Sequence, residues 1–241
     1  MLHLKEIRLK SDEFPTKGHY PFNLEALCKT PKIEFSSPVT FFVGENGSGK
    51  STLLEALARR CQIYIWRGED RTRAVINHYE EMLFLYVEVQ WTDGLVPGSF
   101  FSSQIFRNFA QLVDEWEADN PGQIDYFGGK SLLTQSHGQS IMSFFRSRYK
   151  TKGLYLLDEP ETALSPRTQL ELLKLLREMS RLGHAQFIIA THSPILLSCP
   201  GSMIYSFDSI PIRVVSYEET DHYQIYESFM KDPKKYIDDP M

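Results

Sequence analysis

Residues 44–52 read Gly44-Glu45-Asn46-Gly47-Ser48-Gly49-Lys50-Ser51-Thr52 and fit the pattern G-x-x-x-x-G-K-[ST]. Chemistry at this stretch means holding a phosphate chain. Gly44, Gly47 and Gly49 let the main chain curl through positive φ and leave no Cβ between backbone amides and a phosphate. Lys50 supplies a mobile charge for the β- and γ-phosphates and Ser51 a hydroxyl for Mg²⁺, while Asn46, Ser48 and Thr52 complete the cradle. The apolar run Val39-Thr40-Phe41-Phe42-Val43 before the loop predicts a buried strand. The helix-like Leu53-Leu54-Glu55-Ala56-Leu57-Ala58 after it predicts a helix whose free N–H groups attract the anion.

Three further clusters suit the same chemistry. Asp158 and Glu159 follow the apolar run Leu154-Tyr155-Leu156-Leu157, at the C-terminal end of a strand, where α/β sheets place ligands. Asp158 can hold the Mg²⁺ between phosphates, and Glu159, pointing differently, can orient or deprotonate the attacking water. Thr191-His192-Ser193-Pro194 follows a second such strand, Phe187-Ile188-Ile189-Ala190, so His192 is expected at the γ-phosphate. Ser136-His137-Gly138-Gln139-Ser140 opens a helix and offers a second set of unpaired amides. One phosphate does not need two cradles within one chain. The economical expectation is a head-to-tail homodimer in which Ser136, Gly138 and Gln139 of one copy close over the nucleotide of the other.

The elements that must position these residues are legible from periodicity. Leu2–Lys10 suggests an early strand, and residues 11–32 read as a loop punctuated by Pro15, Gly18, Pro21 and Pro31. Tyr20 or Phe22 there could stack on a nucleotide base or simply anchor the loop. Residues 62–81, with Arg67, Glu69, Asp70, Arg71 and Arg73, read as a solvated charged face. Residues 82–91 alternate like a half-buried strand, and with a second strand at 99–103 they predict an antiparallel hairpin. Helices are expected over 105–117, 138–148 and from Ser165-Pro166 to Gly183, the last by its N-cap and N1 residues. Strands at 203–207 and 212–216 precede a helix around 224–230.

At 241 residues the chain can bury a sizeable core, and its net charge of −5 gives no overall footprint for nucleic acid. Cys28, Cys61 and Cys199 lack metal-ligand spacing and read as free thiols. No leader-like segment and no bilayer-length apolar run is evident, so a soluble, cytoplasmic protein that does not enter the membrane is expected.

Taken as a set, these motifs resemble the ATP-binding-cassette ATPases over nearly the whole chain. Residues 44–52 match Walker A, 135–139 (QSHGQ) the signature, 154–160 (LYLLDEP) Walker B, 162–166 (TALSP) the D-loop, and 191–194 (THSP) the switch histidine. More narrowly, the chain is similar to compact stand-alone bacterial ATPases of this class. The resemblance implies an α/β P-loop fold with a mostly parallel core sheet, an antiparallel β subdomain and a small helical subdomain at about 104–150, all in one domain spanning 1–241. It also implies ATP and Mg²⁺ as cofactors, and a Q-loop glutamine at the metal, for which Gln104 is preferred and Gln90 is the alternative. Gln135, His137 and Ser165 depart from the usual family pattern.

The function implied is a Mg²⁺-dependent ATPase that closes as a dimer on two ATP molecules and passes the motion to a protein partner. A transporter's motor subunit is one alternative. Another is a nucleic-acid-associated ATPase of DNA repair or phage defence, with Arg67, Arg71 and Arg73 or Arg146, Arg148 and Lys150 on phosphates. A nucleotide-gated module with negligible turnover is a third.

Overall fold

The apolar runs sort into two sheets in the computed structural model, which describes residues 2–66 and 77–237. In chain order the strands are β1 (Leu4–Leu9), β2 (Lys32–Glu34), β3 (Val39–Val43), β4 (Val87–Trp91), β5 (Gly98–Ser102), β6 (Gly153–Asp158), β7 (Ala185–Ala190), β8 (Met203–Ser206) and β9 (Arg213–Val215). The α-helices are α1 (Glu25–Lys29), α2 (Lys50–Arg60), α3 (Ser103–Asp119), α4 (His137–Arg148), α5 (Pro166–Arg181), α6 (Pro194–Leu197) and α7 (Asp221–Lys231). The larger sheet has the order β5-β6-β7-β3-β8-β9 and is parallel except for β9; the smaller is antiparallel, β2-β1-β4.

The central strands are continuous apolar runs because both of their faces are covered. Alternate residues feed two cores. Phe41, Tyr155, Leu157, Phe187 and Ile189 pack with Phe145 of α4 and Leu172 and Leu176 of α5. Phe42, Leu154, Leu156 and Ile188 pack with Leu53, Leu54 and Leu57 of α2 and with Leu4 and Ile7 of β1. Each such side chain, fully removed from water, contributes about 1.5–3 kcal/mol. The antiparallel sheet is tied down by buried Gln186 of β7, whose Oε1 accepts from the His3 and Leu4 amides and whose Nε2 donates to the Leu4 carbonyl.

The order of strands decides where the chemistry falls. β7 lies between β3 and β6, with Asp158 level with Ala190 and Ala190 level with Phe42. The C-terminal ends of β3, β6 and β7 therefore deliver the Gly44–Thr52 loop, the Asp158-Glu159 pair and His192 to one edge of the sheet.

The expected hairpin of residues 82–91 and 99–103 is not formed. Leu83–Tyr86 is a 3₁₀ turn, β4 pairs antiparallel with β1, and β5 pairs parallel with β6. The burial patterns explain the split. β4 alternates, as suits a half-exposed antiparallel sheet, whereas Phe100, Phe101 and Ser102 of β5 are all buried. Gly98 permits the close approach of β5, since a Cβ there would lie 2.4 Å from the Leu154 carbonyl oxygen. The expected loop at 11–32 contains α1, and β2 begins at its last residue; Leu24 and Leu27 back the Gly44–Thr52 loop at Gly49. Gln104, which lies between the strand expected at 99–103 and the helix expected at 105–117, sits in the first turn of α3. The helix expected from Ser165 is α5, with the Ser165 hydroxyl accepting from the Thr168 amide. Among the described residues no helix is long and apolar enough to cross a membrane. Cys28, Cys61 and Cys199 are free thiols. Arg67, Glu69, Asp70, Arg71 and Arg73 lie outside the described residues.

Candidate active site

The loop after β3 wraps its own lysine. Lys50, the first residue of α2, is buried, and its Nζ donates to the carbonyls of Gly44 at 2.6 Å and Glu45 at 2.9 Å. Burial lowers the Lys50 pKa, against the pull of Glu159, Asp208 and Asp158. Gly49 caps α2 in the left-handed region at φ 104°, and a Cβ there would press on Leu24 Cδ1 at 3.1 Å. Asn46 and Gly47 are exposed at the loop's crest, while Ser48 Oγ is buried without a partner. The Glu45 amide donates to Asp208 Oδ1 at 2.8 Å, a brace outside every motif read from the sequence.

Ser51 Oγ donates to Asp158 Oδ1 at 2.7 Å. Burial is the main cause that pushes the Asp158 carboxyl up to about 7; the Ser51 hydrogen bond opposes it, and Glu159 and Glu55 add to it. A desolvated carboxylate beside a hydroxyl is an oxygen donor set short of positive charge. That suits Mg²⁺, which binds through one or two protein oxygens and completes its shell with water and phosphate. Among the described residues no group of three His, Cys, Asp or Glu side chains is placed to hold a metal ion by itself. Gln104 joins Ser51, Glu55, Asp158 and Glu159 in lining one cleft of about 280 Å³. Gln90, the alternative, lies on β4 and lines a separate surface cleft with Glu6, Arg8, Glu88 and Val89.

Glu159 has φ 47°, a left-handed backbone that a non-glycine residue adopts at a cost. Its surroundings hold it there. Its amide donates to the Ala190 carbonyl at 2.9 Å, and its own carbonyl accepts from Ser103 Oγ at 2.6 Å and Thr162 Oγ1 at 2.9 Å. The turn swings the Glu159 side chain toward His192, with Oε1 3.6 Å from Nε2. His192 in turn is fixed by its amide, which donates to Glu161 Oε1 at 2.6 Å, and by a ring contact to His222 of α7. Gln169 of α5 bridges the loops on either side: its Nε2 donates to the Leu164 carbonyl, and its Oε1 accepts from Ser193 Oγ at 2.6 Å.

Ser136 is the N-cap residue of α4, and its amide donates to Gln139 Oε1 at 3.2 Å. Ser136, Gly138 and Gln139 line a separate open groove of about 670 Å³ with Lys130, Arg146 and Ser165. Within one chain, then, the first three clusters meet, while the fourth lines its own groove. Arg146 is paired with Glu171 at 2.9 Å, and Arg148 donates to the Gly98 carbonyl. Phe22 is fully buried among Phe14, Tyr79 and Tyr86, whereas Tyr20 is exposed with its hydroxyl 2.8 Å from Thr52 Oγ1. Ser103, Glu161, Gln169, Asp208 and His222 were not expected from sequence. Each makes a hydrogen bond to a segment distant in sequence, and no spacing rule marks such residues.

Two family models match parts of the chain: "AAA domain, putative AbiEii toxin, Type IV TA system" over residues 139–198, and "AAA domain" over residues 23–59. The thiamine import ATP-binding protein ThiQ of Ruegeria sp. (strain TM1040) is 28% identical over 214 residues, covering 80% of this chain and 82% of that protein. The achromobactin transport ATP-binding protein CbrD of Dickeya dadantii (strain 3937) is 29% identical over 178 residues, covering 67% and 65%. A crystal structure of the ADP conformation of MJ1267, an ATP-binding cassette of an ABC transporter, aligns with TM-score 0.53 at 14% identity over 97% of this chain and 96% of that one. That likeness is one of fold, and it agrees with the expected α/β architecture around a mostly parallel sheet.

Proposed function

We propose that this chain is an ATPase of the ATP-binding-cassette class, and that two copies close head to tail on two ATP molecules and drive a protein partner by closing and reopening. The observation that carries the proposal is the convergence of Lys50, Ser51, Asp158, Glu159 and His192 on one sheet edge, with Ser136 and Gly138 lining a separate groove. A groove at the N-terminus of α4 suits a second copy's terminal phosphate.

In this reading the loop amides and Lys50 hold the β- and γ-phosphates. Ser51 and Asp158, with Gln104 beside them, would hold Mg²⁺, which supplies positive charge to the phosphate oxygens when bound. Glu159 orients the attacking water and accepts its proton, and His192 faces the γ-phosphate. Catalysis is then positioning plus electrostatic stabilisation, with little covalent work for the protein. Glu159→Gln should bind ATP and Mg²⁺ but accumulate as a dimer that wild type forms only transiently. Sedimentation of that variant with ATP decides the matter, and a monomer at high protein concentration would reject the clamp.

A second reading, the motor of a membrane transporter, is supported by the names of the relatives, which are import and transport ATP-binding proteins. Co-purification with an integral membrane protein would favour it.

A further inference from the structure

His222 lies in the first turn of α7, outside every motif, and its Nε2 is 2.8 Å from His192 Nδ1. The ring centroids are 5.0 Å apart at 49°, an in-line contact between ring edges and not a stack. Between two neutral imidazoles one nitrogen must donate and the other accept. The two assignments are chemically unequal.

If His192 donated from Nδ1, its Nε2 would carry a lone pair. That nitrogen is buried without a hydrogen-bond partner and faces Glu159 Oε1 at 3.6 Å, so lone pair would meet carboxylate. The same assignment would leave His222 Nδ1, also buried and unpartnered, as an N–H with nothing to receive it. The reverse assignment turns the contact with Glu159 from repulsive to attractive and leaves His222 Nδ1 as a buried acceptor without a donor, in place of a buried N–H without an acceptor. His222 donates from Nε2, His192 carries its proton on Nε2, and an N–H points where negative charge gathers. Burial lowers the pKa of both rings, which keeps the neutral forms in play near neutrality.

We propose that His222 is a positioning residue for hydrolysis: its Nε2–H holds His192 in the Nε2–H tautomer, so that the ring presents a donor to Glu159 and the terminal phosphate. The inference rests on the ATPase reading for its catalytic consequence, but its structural half stands alone. This is how an imidazole is set by what its other nitrogen meets. A residue on the last described α-helix thereby controls a group at the centre of the parallel sheet.

The test combines histidine ¹⁵N NMR with steady-state kinetics. His192 is assigned by the loss of its signals in His192→Gln, and wild type should show it as the Nε2–H tautomer. His222→Phe keeps a ring of similar shape but removes the donor; it should mix the His192 tautomers and lower kcat about 10- to 100-fold with little change in KM for ATP. His222→Gln places an amide N–H near the position of Nε2 and should restore the tautomer and most of the lost kcat. Wild-type His192 found in the Nδ1–H form would overturn the proposal whether or not the variants fold. So would a His222→Phe protein with wild-type kcat and an unmixed tautomer. Should wild type fail to hydrolyse ATP at all, the ATPase reading falls while the tautomer measurement still decides the role of His222.

Discussion

The Ser51 hydroxyl donates to Asp158 Oδ1 across 2.7 Å, joining the first turn of α2 to the end of β6. The Asp158 carboxyl, held up at about 7 chiefly by burial, binds protons more tightly in the folded chain than in the unfolded one. Its contribution to stability is therefore lost as pH rises through that range, and the cost is complete above about 7. Asp158→Asn keeps an acceptor for Ser51 and removes the buried charge. Without nucleotide or metal at pH 8 it should be more stable than wild type, by at most about 4 kcal/mol, and the gain should shrink as pH falls. Mg²⁺-dependent ATP hydrolysis should be lost. Urea titrations at two pH values check the first outcome, and equal stability at both would count against a desolvated carboxylate.

Glu159 holds its left-handed backbone with hydroxyls from Ser103 and Thr162 on its carbonyl. Glu159→Gly removes the steric cost of that conformation and the side chain together. Folding stability should change little or rise, by up to about 1 kcal/mol, while turnover disappears. A clear loss of stability in thermal unfolding would mean that the turn is not strained.

Gln186 satisfies three main-chain groups of His3 and Leu4 in a fully buried setting. Gln186→Leu leaves those groups without partners and should cost at least about 3 kcal/mol, at about 1–3 kcal/mol for each orphaned polar group. The loss should appear as earlier amide exchange in β1 than in β3. Unchanged protection of β1 would show that Gln186 is not its tether.

His192 and His222 are both held below the ordinary imidazole range, first by burial. The unfolded chain therefore takes up protons before the folded one, and the stability that each neutral ring contributes is lost as pH falls below about 6.5. Asp158 and Glu161, raised by burial, slope the other way. The informative quantity is thus the difference between wild type and His222→Gln. Between about pH 7.5 and 5.5 wild type should lose more melting temperature than the variant. Parallel curves would show that His222 titrates as it does in the unfolded chain.

Much of the architecture was legible in advance because the buried parallel strands are written as unbroken apolar runs ending in polar clusters. The runs at Val39–Val43, Leu154–Leu157 and Phe187–Ala190 sit where the loop, the acid pair and His192 require them. What sequence could not supply was pairing. Residues 82–91 and 99–103 are neighbours in the chain with a turn between them, yet burial on one face of β4 and on both faces of β5 sends them to different sheets. The bracing contacts escaped notice for a related reason. His222, Asp208 and Gln169 have ordinary local contexts, and their meaning comes from a partner far away in sequence.

Lys50 spends its hydrogen bonds on the carbonyls of Gly44 and Glu45, within the loop that it serves. A neutral molecule such as a free nucleoside offers the ammonium nothing better than those two dipoles and leaves it where it is. In the proposed function, a chain of phosphates carrying several negative charges draws it outward, and the loop then sorts incoming molecules by their charge before base or sugar has been felt.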